Sequence, residues 1–288
     1  MREFNHFEIA IRYNKKDKFK IVENPTYGWA ADPFLVDYCG EIYLFAEIFL
    51  YKSERNGVIA YRKIKRNGDM TPWTISMDKH WHLSYPNVFV NDNKLFMVPE
   101  SYQLEEVALY ELNKIPNEWV KIRSIVINEE LCDSTFFTYK DGQKYMFTFE
   151  KGGVSPNGIG WLYKINNGIA TERIYLSNSL EGTRCGGKVI VENDKYIRVG
   201  QNCANGYGSG LIFYEIDSVW PCYREHEIYR IDASDIKPNV KSDRNYTGIH
   251  TYNRLGNMEV IDLKYSSSTQ EENEASERVR KVFLNKYE

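Results

Sequence analysis

Short runs of alternating apolar and polar residues, separated by tight polar turns, recur along this chain. The stretch "ADPFLVDYCGEIYLFAE" (31–47) is one such unit, a β-rich run, a turn and a second β-rich run. "SYPNVFVNDNKLFMVPE" (84–100) lies under it without a gap, proline on proline and Glu100 on Glu47. "CDSTFFTYKDGQKYMFTF" (132–149) fits with one extra turn residue, "CGGKVIVENDKYIRVGQ" (185–201) without a gap, and "IHTYNRLGNMEVID" (249–262) with a shorter turn. The turns "CGE", "NDN", "KDG", "END" and "LGN" have the residues that tight hairpins require.

The entrance position, second in each copy, is Asp32, Tyr85, Asp133, Gly186 and His250, at steps of 53, 48, 53 and 64 residues. Each interval leaves room for two more strands, such as "GVIAYRKI", "EVALYEL", "IGWLYKI" and "SGLIFYEI". Five repeats of four antiparallel strands predict an all-β, five-bladed β-propeller over residues 1–263. The opening "HFEIAIRY" is expected to complete the last blade as a clasp. Helical periodicity is nearly absent until the polar tail, residues 264–288, where Val279, Phe283 and Leu284 suggest one apolar stripe; a frayed end is the alternative.

In a propeller the first strand of each blade lines the central channel, so the five entrance residues form a ring at one mouth. An antiparallel hairpin brings its second strand back to the same level, which places Glu47 and Glu100 beside Asp32 and Tyr85. A repeated Asp at a strand start also caps turns. A ring carrying acid, phenol, acid, glycine and imidazole, however, varies as a site does and not as a structural repeat does.

Composition narrows the partners. The net charge is −3 with 27% charged residues, and no basic run marks a nucleic-acid surface; "YNKKDKFK" reads as a solvated turn. The start lacks a signal-peptide apolar core, and no run reaches membrane-span length. The five cysteines have no CxxC spacing, so neither a disulfide framework nor a zinc site is expected, and a reducing cytoplasm fits. Aromatics are 15% of the chain, suited to sheet cores and to covering the apolar faces of sugars.

"ADPFLVDYCGEIYLF" resembles the first-blade motif of family-43 glycoside hydrolases and their five-bladed relatives. The resemblance implies Asp32 as general base and Asp133 as the acid that orients it. It also implies a water-ligated ion in the channel near His250; no other cofactor and no protein-bound metal is expected. "WAADPFLV", "HLSYPNVFV", "MVPES", "CDSTFF" and "GIHTYNR" resemble, over roughly residues 5–263, the propeller domain at the N-terminus of plant glucosamine inositolphosphorylceramide transferases. Similar domains occur in bacterial proteins of surface-polysaccharide loci. One departure matters. The family-43 general acid is a fourth-blade Glu, and here that repeat reads "EGTRCGGKVI", with Gly186 at the entrance and Glu181 five positions earlier.

Either Glu181 or Glu100 would then serve as acid, or hydrolysis is absent. Opposed carboxyls push one another's pKa values apart, which suits an acid and base pair. Arg184 either binds an anionic substrate group or neutralises the acids. Gln201, Asn202 and Tyr207, in the Gly-rich turn "GQNCANGYGSG", are expected to join Glu47, Tyr85, Arg184 and His250 in substrate binding. His80 and His82 have metal-like spacing but no third ligand, and are read as rim residues. The expectation is a cytoplasmic carbohydrate-active enzyme of surface-polysaccharide assembly, acting on a sugar, sugar nucleotide or lipid-linked glycan beside partner enzymes. Transfer is favoured over hydrolysis because the fourth-blade acid is displaced. The alternative is a non-catalytic glycan-binding or partner-docking module.

Overall fold

The computed structural model describes residues 3–51, 57–115, 117–153 and 156–268; the stripe expected at Val279, Phe283 and Leu284 lies outside them. Five antiparallel sheets follow one another around a ring. The first blade is Gly28–Tyr38, Glu41–Leu50, Gly57–Ile64 and Thr74–Met77. The second is Ser84–Asn91, Lys94–Glu100, Glu106–Lys114 and Glu118–Ile127, and the third Leu131–Thr138, Lys144–Lys151, Gly158–Asn166 and Ile169–Ser177. The fourth has a split inner strand, Glu181–Cys185 and Ile190–Glu192, then Lys195–Asn202, Gly210–Ser218 and Arg224–Asp232.

The fifth blade takes its inner pieces, Tyr246–Gly248 and Tyr252–Leu255, and its second strand, Met258–Ser268, from the end of the described chain. The N-terminus supplies the outer two, Glu3–Arg12 and Lys20–Val22, with Ile9 opposite Asp262. The clasp foreseen as one strand is thus two. The short second strand follows the turn at residues 13–18, where Phe19 turns inward and is buried. The long interval before His250 is filled by the helical turns Ala233–Ile236 and Lys237–Asn239.

The inner strands share a device that their sequences do not announce. In the first three blades Asp32, Tyr85 and Asp133 have φ of 50°, 43° and 51°. Each opens a β-bulge in which two residues face one, between Ala31 and Phe34, Ser84 and Asn87, and Cys132 and Thr135. Proline after Asp32 and Tyr85 suits the bulge, where an N–H would have no ladder partner. Left-handed backbone at a non-glycine residue costs of order 1–2 kcal/mol, so neighbouring contacts must hold it.

Those contacts cross between blades. The Tyr85 ring is fully buried, edge-on to Phe34 at 4.8 Å, and fills the channel below the ring of entrance residues. Its hydroxyl meets Thr135 Oγ1 at 2.7 Å and accepts from Gly187 N at 2.8 Å. Gly187 must be glycine: its φ is 142° and a Cβ would lie 1.9 Å from the Tyr252 carbonyl oxygen. Asn253 continues the belt, donating to Pro33 O and accepting from Lys188 N, each at 2.7 Å. Tyr85→Phe is expected to cost about 1–2 kcal/mol, because it leaves the buried Gly187 N–H without an acceptor. Denaturant unfolding would register this, and an unchanged midpoint would contradict the role.

Candidate functional site

The bulges aim side chains and amides at the channel mouth, and each acid there has a defined partner. Asp32 Oδ2 accepts from Tyr85 N at 3.1 Å, and Oδ1 accepts from Thr251 Oγ1 at 2.7 Å with His250 Nε2 3.7 Å away. Asp262, fully buried on the fifth blade, accepts from Asp32 N, His250 N and Thr251 N at 3.0, 3.0 and 2.9 Å. His250 Nδ1 stands 2.7 Å from Asp262 Oδ2, the oxygen that also accepts from Asp32 N. Asp133 accepts from the Arg184 Nε–H and, at 3.1 Å, from Gln201 Nε2. Glu100 accepts from Asp133 N at 3.0 Å, with Arg184 Nη2 3.7 Å away. An acid of one blade therefore caps the entrance amide of the next at three of the five junctions, which links the ring mechanically.

Glu47 differs. It is buried and faces His82, with Nε2 3.6 Å from Oε1. His82 Nδ1 accepts from Gly57 N at 3.1 Å, so its proton sits on Nε2, toward Glu47. Burial, helped by Arg184, pulls the His82 imidazole down to about 4. Burial and the surrounding carboxylates Asp32, Glu100 and Asp133 push Glu47 well above the ordinary carboxyl range. Both shifts favour the neutral forms of the pair over a salt bridge. Glu100 is also pushed well up, by burial and Asp133, with Arg184 opposing.

Burial likewise pushes Asp32 up to about 6; Asp133 and Asp262 add to the rise, and His250 and Thr251 partly offset it. At Asp262 burial is outweighed by His250 and the backbone amides, which hold it below its ordinary value. At His250 burial is outweighed by Asp262 and Asp32, which hold the imidazole above its own. The mouth thus contains two ion pairs, Asp133–Arg184 and Asp262–His250, among carboxyls that favour their protons.

Asp32 gives a test. Its folded carboxyl binds a proton more readily than the unfolded one, so its contribution to stability is complete below about pH 4 and is lost as pH rises through about 6. A shift of that size is of order 3 kcal/mol. Asp32→Asn lacks this loss, so its melting temperature should gain on the wild type between pH 4.5 and 7.5. Parallel curves would contradict the assignment.

The other expected residues divide. Tyr207 is half-buried at the mouth, edge-on to His250 at 5.3 Å and 5.1 Å below the Arg184 guanidinium. Its loop comes close because Gly208, at φ 63°, approaches the His250 Cβ. Gln201 is buried and holds Asp133 and the Cys185 carbonyl, while Asn202 caps Ala204 N within its own turn. Tyr85 has its hydroxyl in the channel. Gly186 donates to Val199 O and accepts from Tyr252 N, below the opening. The fourth blade fills its sector earlier, where three residues, Gly182 to Arg184, face one. Glu181 is 45% exposed and 3.5 Å from Arg230 on the outermost strand, apart from the acid cluster. His80 is exposed.

Asp262 and Thr251 were not anticipated. Asp262 falls on the repeat position of Glu47 and Glu100, which was the available signal; nothing marked Thr251. The ligand atoms of Asp32, His250 and Asp262 lie within 4.8 Å of one another. They do not fit a cation ligated directly by all three, because the Asp262 oxygens already take three amides and the imidazole.

Partly exposed rings surround the mouth. Trp29 stacks on Phe49 at 4.7 Å, and Tyr102 lies 6.3 Å from His82 with Lys151 4.6 Å above its face. Flat faces beside neutral donor–acceptor groups suit polyhydroxylated ligands.

The sequence profile of the family described as "Glucosamine inositolphosphorylceramide transferase 1, N-terminal" matches residues 22–265. Glucosamine inositolphosphorylceramide transferase 1 of Oryza sativa subsp. japonica is 29% identical over 208 residues, 68% of this chain and 28% of that protein. The Arabidopsis thaliana protein of the same name is 27% identical over 213 residues, 71% of this chain and again 28% of its own length. Among solved structures, a β-xylosidase/α-arabinofuranosidase of glycoside hydrolase family 43, from a compost microbial metagenome, has a TM-score of 0.59 at 9% identity, covering 84% of this chain and 92% of that one. A thermostable family-43 glycoside hydrolase gives 0.58 at 13% identity, covering 88% and 92%. At such identities the likeness is one of fold.

Proposed function

We propose, from the premise that this chain belongs to the glucosamine inositolphosphorylceramide transferase 1 N-terminal family, that it is a carbohydrate-recognition propeller whose funnel binds a sugar without cleaving it. The observation that carries this reading is the state of the acids. Asp133 is tied to Arg184 and Gln201, Asp262 to three amides and His250, and both Asp32 oxygens to Tyr85 N and Thr251. A hydrolytic base needs a carboxylate lone pair turned to a water, with a second carboxyl across the bond. Here the pairing of Arg184 with Asp133 favours its neutralising role over capture of an anionic substrate. Glu47 and Glu100, whose carboxyls favour their protons, can both donate and accept, as sugar hydroxyls do. The transfer in the relatives' name describes proteins of which this chain spans about 28%, so the ligand class is brought here and the reaction is not. That ligand class supports a part in the assembly of a surface glycan or glycolipid.

A second reading has its own support. Asp32, with a carboxyl at about 6, beside protonated Glu47 and Glu100 is an acid and base set near neutrality. Saturation-transfer NMR with glucosamine, N-acetylglucosamine, myo-inositol and their glycosides separates the two. On the recognition reading Glu47→Gln, a neutral isostere, keeps binding within about threefold, and Glu47→Ala weakens it tenfold or more. Release of sugar from a glycoside by the wild type would overturn it.

A further inference from the structure

On the face opposite the mouth, where the hairpin turns gather, a cavity of about 430 Å³ opens. It begins at the end of the channel beside Asn87 and Lys188 and runs outward between the second and third blades. Its walls there are aromatic: Phe89 stacks on Phe96 at 5.8 Å and lies 6.5 Å from Phe136. Val191, 56% exposed, stands at its rim. A cavity of this size takes a ligand on the order of twenty heavy atoms.

The charges of its lining all have one sign. Lys144 and Lys188 contribute, and no carboxylate does, although the chain as a whole is at −3. Lys188 reaches this position with its backbone N–H held by Asn253 and its ammonium over the Phe34 ring, 5.8 Å from the centroid. The ammonium donates to the Leu35 carbonyl at 2.9 Å, its one hydrogen bond among the described residues, out of the three it can donate. A half-buried ammonium beside apolar walls is costly without an anion. Burial alone lowers this one to about 8, so it stays mostly charged at neutral pH.

We propose that this cavity binds an amphipathic anion: an apolar body between Phe89, Phe96 and Phe136, and a single carboxylate, sulfonate or phosphate on the Lys188 ammonium. The site is independent of the funnel, lies at the other end of the channel and takes a different chemistry. It gives the propeller a second ligand face, suited to a fatty-acid-like or aryl anion.

The test is a fluorescence titration of the intact protein with 8-anilinonaphthalene-1-sulfonate, with melting temperature measured in parallel. The wild type should take up one equivalent saturably, decanoate should displace it, and decanol should not. Lys188→Met should weaken dye binding at least fivefold at an unchanged fold. Val191→Asp, at the exposed rim and so harmless to folding, should weaken it similarly by placing a negative charge at the entrance; it decides the matter if Lys188→Met does not fold. Absence of saturable binding, equal displacement by decanol, or undiminished affinity in Val191→Asp would overturn the proposal.

Discussion

Arg184→Met should lower the stability of the propeller by about 3–5 kcal/mol, the cost typical of removing one partner from a buried ion pair. The guanidinium is the cation for Asp133 and lies 3.7 Å from Glu100, and both carboxyls are nearly inaccessible to water. Without it Asp133 must either stay ionised with only Gln201 as donor or take up a proton. The melting temperature should fall by roughly 6–15 °C. The informative experiment is the second substitution. Asp133→Asn in the Arg184→Met background removes the stranded charge while keeping an acceptor for Gln201, so it should restore more than half of the loss. If the two losses simply add, the pair is not the anchor described here.

Asp262 should be nearly as costly to remove, through hydrogen bonds. Asp262→Ala strands three amide N–H groups and the His250 imidazole in a site closed to solvent. At about 1–3 kcal/mol for each unsatisfied group, partly relieved by relaxation, a loss of at least 3 kcal/mol is expected. Asp262→Asn offers a milder and more specific reading. It keeps one acceptor and removes the charge that holds the His250 imidazole above its ordinary value. Burial then dominates, and the imidazole should titrate below the usual 6.5 or so for histidine. Its ring resonances, followed by NMR against pH, would show the fall, and an unmoved titration would contradict the pairing. In the wild type the stability that His250 contributes is complete below its unfolded value and is lost as pH rises through its folded one. The Asp262 contribution runs the other way, complete above the ordinary carboxyl range and lost as pH falls below it through the lowered folded value.

The architecture was readable because a hairpin has a strong local signature. Alternation of period two, a turn and a fixed return distance repeat five times, as the blades of a propeller require. What escaped has physical reasons. The bulges at Asp32, Tyr85 and Asp133 are set by contacts between blades, which one repeat does not contain. The strand Lys20–Val22 is three residues long and follows a charged turn, too short for any periodicity. An ungapped alignment placed Gly186 at the mouth, while the backbone makes its excursion at Gly182 to Arg184 and sends the arginine into that sector. The acids Asp32, Glu47, Glu100 and Asp133 were legible because position in a propeller determines direction. Their partners, Thr251, His82 and Asp262, come from other blades. Protonation was less legible still, since it depends on burial and on charges distant in the chain.

The most direct test of sugar recognition without cleavage is a paired measurement on Asp32→Asn at pH 7. The affinity of the tightest glycoside from the NMR screen is determined for wild type and variant by calorimetry, and the same solutions are assayed for released or transferred sugar. The recognition account predicts affinities within about threefold and no product from either protein. Product from the wild type that disappears in Asp32→Asn, at unchanged affinity and fold, would contradict it and make Asp32 a catalytic base.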